Sequence, residues 1–110
     1  MKFQHKQSAK GNWRRLTFFQ QMANVGSEVE RALLWLEKGN NEYSQKAFER
    51  ALELLDLTIC FNDKRTRFKE LTRLRETMVD YFLGDNYFHS TIKLWRKYFF
   101  AFNWAARINK

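Results

Sequence analysis

The side chains that could act as nucleophiles, general bases or metal ligands are few and widely spaced in this chain of 110 residues. The one cysteine, Cys60, and His89 would have to combine with Asp63 or Asp85 to form a catalytic or metal site, while the other histidine, His5, lies in the predicted arm. Only the fold could bring them together. Neither an HExxH nor a CxxC motif occurs, and there is no glycine-rich phosphate loop. We therefore expect no enzyme activity, no metal ion and no cofactor.

The HEPN ribonucleases are one class of small all-α enzyme with a short, recognisable motif. The active-site motif of the HEPN ribonucleases is an arginine followed four to six residues later by a histidine. No arginine precedes His5 or His89 by that spacing. A HEPN-like ribonuclease is therefore the third and least favoured interpretation of this chain.

The side chains best suited to binding a partner are the aromatic and basic residues of the segment KLWRKYFFAFNWAARINK, residues 93–110. Successive residues of a helix rotate by about 100°, so the segment has one inner apolar stripe and a second face nearly opposite to it. That second face carries cations around two rings, at Lys93, Arg96, Lys97, Phe100, Trp104 and Arg107. Cations attract phosphate and aromatic rings stack on bases, which favours a nucleic-acid surface. The alternatives are a protein interface with a cationic rim and a ring pair packed inside the fold.

A second basic stripe is predicted on the third helix, where Arg65, Lys69 and Arg73 recur at spacing four. It is a further candidate for binding an anionic partner. Glu76 and Asp80 follow on the same side, so local ion pairs on a solvated face are the competing explanation.

Charge is unevenly distributed along the chain, whose formal net charge is +8. Residues 27–63 contain eight acidic and four basic side chains, including an acidic stripe at Glu49, Glu53 and Asp56, whereas both flanks are basic. The net charge favours an anionic partner, either nucleic acid or a nucleoprotein. Separate acidic and basic faces can also pair between copies, so a homo-oligomer or another protein partner is the main alternative.

The elements that position these side chains are predicted to be four helices. Proline is absent and glycine occurs four times, whereas β-sandwiches and barrels need many turns rich in both. Gly, Asn and Asp cluster near 39–41, 61–63 and 84–86, where we expect breaks. The helices between them are predicted at 13–38, 42–60, 64–83 and from about residue 90 onward. We therefore predict an all-α, antiparallel four-helix bundle over 13–110, with a basic, flexible N-terminal arm over 1–12.

Several positions in the apolar stripes make this prediction specific. The stripe of the first helix runs from Leu16 to Leu36 and passes through Gly26, so we expect one continuous helix there. Gly26 then indicates either a close helix crossing or a kink. At the break over 61–63, Asn62 or Asp63 is expected to cap the next helix, in which Phe68, Leu71, Met78 and Phe82 are expected to face inward.

Three features favour a cytoplasmic protein without membrane contact. A single cysteine cannot form an internal disulfide, which fits a reducing compartment. The polar N-terminus, MKFQHKQSAKGN, has no apolar run of the kind found in secretory signals. A membrane-spanning helix needs about 20 apolar residues, and the longest aromatic-apolar stretch, YFFAFNWAA, is far shorter.

The last residues, NWAARINK at 103–110, form a basic helix terminus that contains a tryptophan. This ending, on a small basic four-helix chain, resembles the accessory bundle proteins of diversity-generating retroelements. Those proteins are relatives of the bundle proteins encoded in 23S rRNA intervening sequences. Trp104, Arg107 and Lys110 correspond by position in the terminal motif. The resemblance implies a ring-forming basic helper that binds a reverse transcriptase and its nucleic acid.

Overall fold

A computed structural model describes residues 12–108, which form an all-α fold without a β-strand in that range. A helical turn over 12–15 precedes four long helices. These helices are α1 (Phe18–Glu37), α2 (Asn41–Phe61), α3 (Arg65–Phe82) and α4 (Ile92–Ile108). The prediction of an all-helical fold is confirmed, and the breaks over 38–40, 62–64 and 83–91 overlap the expected positions. Of the predicted arm over 1–12, only Asn12 lies within the described residues, where it begins the helical turn.

The first long helix begins later than the apolar stripe predicts, because Thr17 starts it with a capping box. The Thr17 hydroxyl accepts the backbone N–H of Gln20 at 3.1 Å, and the Gln20 side chain accepts the backbone N–H of Thr17 at 2.9 Å. Thr17 itself is extended, so the helix predicted over 13–38 is divided at 16–17. The helix does run unbroken through Gly26, as predicted.

The helical turn before Thr17 is tied to the long helices through a buried tryptophan. Trp13 is 7% exposed, and its indole Nε1 donates a hydrogen bond to the Thr58 hydroxyl on α2 at 2.9 Å. The Gln21 amide on α1 donates to the Trp13 carbonyl at 2.9 Å. These bonds satisfy polar groups that burial would otherwise leave unpaired.

The core lies mainly along α1 and α2. Helix α1 packs on α2 and on α4, and α2 packs on α3. Helices α3 and α4 contribute fewer buried apolar side chains, and these are Leu71, Leu74, Met78, Trp95 and Phe99. The outer sides of α3 and α4 therefore remain available for contacts beyond the core.

Two side chains that the stripes place inside lie at the surface. Phe68 is 44% exposed and Leu36 is 38% exposed, so both inward predictions are wrong. Helix α3 is buried along a narrow stripe through Leu71, Leu74 and Met78. Phe68 lies beside that stripe rather than on it, because residues 68 and 78 differ by about 80° around a helix.

The Gly and Asn residues at the breaks differ in what they do. Gly39 has a φ of 80° and Asn86 a φ of 55°, which is the left-handed conformation that commonly ends helices. The prediction of Asn62 or Asp63 as a helix cap is wrong, because Lys64 occupies the N-cap of α3 without a side-chain bond. The Asn62 amide instead donates to the Lys64 carbonyl at 2.7 Å, which stabilises the turn.

Candidate nucleic-acid interface

The outer face of α4 is the surface opposite its buried stripe, and we define it by Lys93, Arg96, Lys97, Phe100, Trp104 and Arg107. The Thr91 hydroxyl caps α4 by accepting the backbone N–H of Leu94 at 3.1 Å. Trp95 and Phe99, each 5% exposed, fix the rotation of the helix against the core. As a result Phe100 is 68% exposed and Trp104 is 56% exposed.

Three cations of this face have no counterion among residues 12–108. Lys93, Lys97 and Arg107 are exposed, and within residues 12–108 they make no ion pair and no cation–π contact. Arg107 lies in the last turn of α4, where a cation is favourable beside the helix C-terminus. A phosphate group could therefore approach these side chains without displacing an internal carboxylate.

Arg96 differs from the other cations because it already binds two carboxylates. Its Nη2 atom lies 2.9 Å from Glu30 Oε2 and 2.9 Å from Glu37 Oε1. Its Nε atom donates to Glu30 Oε1 at 2.9 Å. These bonds to Glu30 and then Glu37 raise the pKa of Arg96 above its ordinary value. Arg96 thus links α4 to α1, and it would have to leave both carboxylates to bind a phosphate.

The basic stripe of α3 is exposed and lacks ion pairs within the described part of the chain. It consists of Arg65, Lys69 and Arg73. The carboxylate of Asp80, on the same side, instead accepts the backbone N–H groups of Tyr87 at 2.8 Å and Phe88 at 3.0 Å. Local ion pairing therefore does not explain why these cations recur.

The structure brings together one cation from the basic stripe of α3 and one from the outer face of α4. Arg73 of α3 and Lys97 of α4 both line a cavity of about 730 Å³ between these helices, which we call the α3–α4 groove. Arg65, Lys69 and Arg107 are not among its lining residues.

One hydrogen bond ties the two helices together across the α3–α4 groove. The Tyr98 hydroxyl on α4 donates to Glu70 Oε2 on α3 at 2.9 Å. Burial, and then the Glu70 carboxylate, raise the pKa of the Tyr98 phenol well above its ordinary value. The phenol therefore stays protonated and able to donate over the physiological range.

The acidic stripe of α2 is partly neutralised within the molecule. The Asp56 carboxylate accepts a hydrogen bond from Arg75 Nε on α3 at 2.8 Å. That bond raises the pKa of Arg75. Glu49 remains exposed, so the charge available for pairing with another copy is smaller than the sequence suggests.

Cys60 and His89 are not brought together, and His5 lies outside the described residues. Cys60 lies near the C-terminal end of α2, and His89 lies in the loop that follows α3. The 18 residues of α3 separate them, which is a helix length of about 27 Å. Among residues 12–108, no three His, Cys, Asp or Glu side chains form a group that could hold a metal ion. No helix in that range has the length and hydropathy required to cross a membrane.

The sequence interpretation missed the apolar side chains of α4 that line the α3–α4 groove. These are Leu94, Tyr98 and Ala101. Their spacings of four and three are themselves helical and mark a stripe beside the inner one. The sequence contains that signal, but the predicted inner stripe and outer face of the helix do not include these three residues.

Comparisons with known proteins give no match: no family model, no curated protein and no solved structure is similar to this chain.

Proposed function

We propose that this chain is a non-enzymatic, basic helical protein that binds nucleic acid, free or within a nucleoprotein, as an accessory factor. The binding surface is the outer face of α4. One observation supports the proposal above the others. Phe100 and Trp104 are exposed one turn apart, among three cations that have no counterion in the described part of the chain.

The chemistry of this face favours single strands. Lys93, Lys97 and Arg107 provide positive charge for the phosphate backbone. The rings of Phe100 and Trp104 provide stacking platforms, which unpaired bases can reach and bases inside a duplex cannot. Exposed aromatic rings are also costly in water unless a ligand covers them. Binding of single-stranded RNA or DNA would use both features together.

We also propose that the four long helices form an antiparallel bundle. The short connections over 38–40 and 62–64 support this arrangement, because short loops join antiparallel neighbours. Phe18, near the start of α1, contacts Phe102, near the end of α4, with ring centroids 6.0 Å apart. The bundle holds α4 on the outside of α1 and leaves its outer face in solvent. We also propose a cytoplasmic location, because a single cysteine fits a reducing compartment.

Anisotropy of a labelled single-stranded oligonucleotide, titrated at several salt concentrations, tests the binding surface. A triple change of Lys93, Lys97 and Arg107 to Ala should lower the salt slope by about 0.7 for each lost phosphate contact. Changing Phe100 and Trp104 to Ala should weaken binding by about 1–3 kcal/mol per stacked base, with little change in slope.

The matched controls are Lys46→Ala on α2 and Tyr87→Ala in the α3–α4 loop, since both side chains are exposed and lie off the outer face. Neither control should change the affinity or the salt slope. Melting temperatures should stay near wild type in all variants, because the altered side chains are exposed. Full binding by both the triple and the double variant would exclude this surface.

The resemblance of NWAARINK to retroelement accessory proteins supplies a more specific hypothesis about the partner. Trp104 and Arg107, two of the corresponding residues, belong to the outer face of α4, while Lys110 lies outside the described residues. We propose on that basis that the nucleoprotein contains a reverse transcriptase. A reverse transcriptase gene beside the gene for this chain would support the hypothesis, and a toxin gene there would oppose it.

A further inference from the structure

The α3–α4 groove is an apolar surface that residues 12–108 leave uncovered. Its apolar lining comes from both helices and consists of Leu74, Leu94, Trp95, Tyr98, Ala101 and Phe102. Leu94 is 55% exposed and Ala101 is also exposed. Exposed apolar surface that is contiguous and bordered by polar groups usually marks a contact site.

The groove exists because α3 and α4 are held apart along most of their length. Helix α1 packs closely on α4 and α2 packs on α3, but α3 and α4 share few contacts. They meet where Tyr81 touches Trp95, with ring centroids 5.9 Å apart, and where Tyr98 binds Glu70. Trp95 Nε1 is buried at this place and has no acceptor among the described residues. The contact between the two helices is therefore incomplete.

Charge on the rim of the groove is positive. Arg73 and Lys97 line it and have no ion-pair partner in residues 12–108, and these two cations outnumber the one acidic lining residue, Glu70, whose carboxylate accepts the Tyr98 hydroxyl. The surrounding field has the same sign, because residues 64–110 contain eleven basic and four acidic side chains. An occupant with carboxylates at its edges would complement this rim.

We propose that the α3–α4 groove binds an amphipathic helix of another protein, with an apolar stripe on the groove floor and acidic residues facing Arg73 and Lys97. The lining residues of α4 run from Leu94 to Phe102, a rise of about 12 Å. Two to three turns of a helix, with anchors at spacings of three, four and seven, match that length.

A helix fits the groove better than an extended peptide does. An extended strand presents unpaired N–H and C=O groups that must find partners when they are buried. The lining offers few such partners, because it is mostly apolar and the Thr77 hydroxyl already donates to the Arg73 carbonyl. A helix satisfies its own backbone and presents only side chains to the floor.

A second copy of this chain complements the groove less well than an acidic helix does. In a symmetric dimer built on this face, the Arg73 and Lys97 side chains of the two copies would share one interface, where like charges repel. In a head-to-tail contact the groove would need an apolar stripe with acidic flanks. The exposed rings of α4, Phe100 and Trp104, are flanked by cations instead. Nucleic acid fits poorly too, since the floor of the groove is mostly apolar.

This groove is separate from the outer face of α4, and the inference does not depend on the proposed function. The two faces lie on different sides of one helix and share Lys97 at their border. If both sites bind, α4 joins an acidic helix of a protein to a nucleic acid. Either site can fail without the other.

Three synthetic peptides of about 18 residues test the proposal by fluorescence anisotropy with the full chain. The acidic peptide has leucines at helical spacing and glutamates on both flanks. The basic peptide has lysine in place of each glutamate, and the scrambled peptide keeps the acidic composition but spreads its leucines around the helix. We expect the acidic peptide to bind at least ten-fold more tightly than either of the others.

Variants of the chain locate the site. Leu94→Asp should weaken binding of the acidic peptide at least ten-fold, whereas Leu34→Asp, an exposed leucine of α1 away from the groove, should leave it unchanged. If Leu94→Asp loses its helical circular dichroism, Ala101→Glu makes the same test at a second exposed position. The double change Arg73→Glu with Lys97→Glu should reverse the preference toward the basic peptide.

Three results would overturn the proposal. The first is equal binding of the acidic and scrambled peptides. The second is a preference for the acidic peptide that survives both the groove substitution and the charge reversal. The third is a dimer of the chain in sedimentation equilibrium that Leu94→Asp dissociates, which would make a second copy the occupant. Loss of oligonucleotide binding in the Phe100 and Trp104 variant, with peptide binding intact, would separate the two sites.

Discussion

A β-carbon added to Gly26 would lie 2.8 Å from Cδ1 of Phe99 and 2.9 Å from its Cβ. Helices α1 and α4 cross at this point so closely that a glycine is required, although glycine in a helix interior costs about 1 kcal/mol relative to alanine. The crossing also sets the rotation of α4. With Phe99 seated on Gly26, the next residue, Phe100, is turned about 100° away and into solvent.

The first prediction follows from this crossing. Gly26→Ala should lower the free energy of unfolding by about 1–3 kcal/mol, because overpacking against Phe99 outweighs the gain in helix propensity. Urea denaturation of the two proteins measures the difference. In a Phe99→Ala background the same change should cost nothing or stabilise the chain. An equal cost in both backgrounds would show that this contact is not the reason for the glycine.

The second prediction concerns the anchoring of the helical turn by Trp13. Trp13→Ala should lower the free energy of unfolding by about 3–5 kcal/mol, because a large buried side chain is lost. Trp13→Phe keeps most of the apolar area and loses the hydrogen bond to Thr58, so it should cost about 1 kcal/mol. Thermal melting followed by circular dichroism compares the two. A negligible effect of Trp13→Ala would mean that residues 12–17 contribute nothing to stability.

The third prediction concerns stability at alkaline pH. The pKa of Tyr98 is raised in the folded state, so an unfolded chain, whose tyrosines titrate near pH 10, loses the Tyr98 proton first. The contribution of Tyr98 to stability is therefore constant below about pH 10 and is lost as the pH rises through the raised folded value. Unfolding in urea at pH 7–11 should show a steeper alkaline decline for wild type than for Tyr98→Phe.

The matched control is Tyr87→Phe, since Tyr87 is 78% exposed. Its alkaline decline should equal that of wild type. Parallel curves for Tyr98→Phe and wild type above pH 10 would contradict the assigned environment of the Tyr98 phenol.

The fourth prediction uses the two carboxylates that hold Arg96. The double change Glu30→Gln with Glu37→Gln should release the guanidinium and remove two negative charges beside the outer face of α4. Affinity for a single-stranded oligonucleotide should rise, and the salt slope should grow by about 0.7 if Arg96 gains a phosphate contact. Salt titrations of wild type and variant provide the comparison. An unchanged affinity and slope would place the nucleic acid elsewhere.

Local patterns in the sequence predicted much of this molecule. Apolar spacings of three and four, with Gly and Asn at the breaks, predicted the helices and the breaks near Gly39 and Asn86. These features are decided by residues within a few positions of one another. The later start of α1 is also decided locally. The Thr17–Gln20 capping box begins the helix at residue 18, although the apolar stripe extends further toward the N-terminus.

The amino-acid sequence by itself determined the helices, the basic charge and the face of α4 on which cations surround Phe100 and Trp104. Only the tertiary structure decided that Arg96 is held by carboxylates on α1 and that a groove opens between α3 and α4. The reason is physical. Helical period depends on near neighbours in the chain, whereas helix packing depends on side chains that meet only at a crossing, such as Phe99 on Gly26.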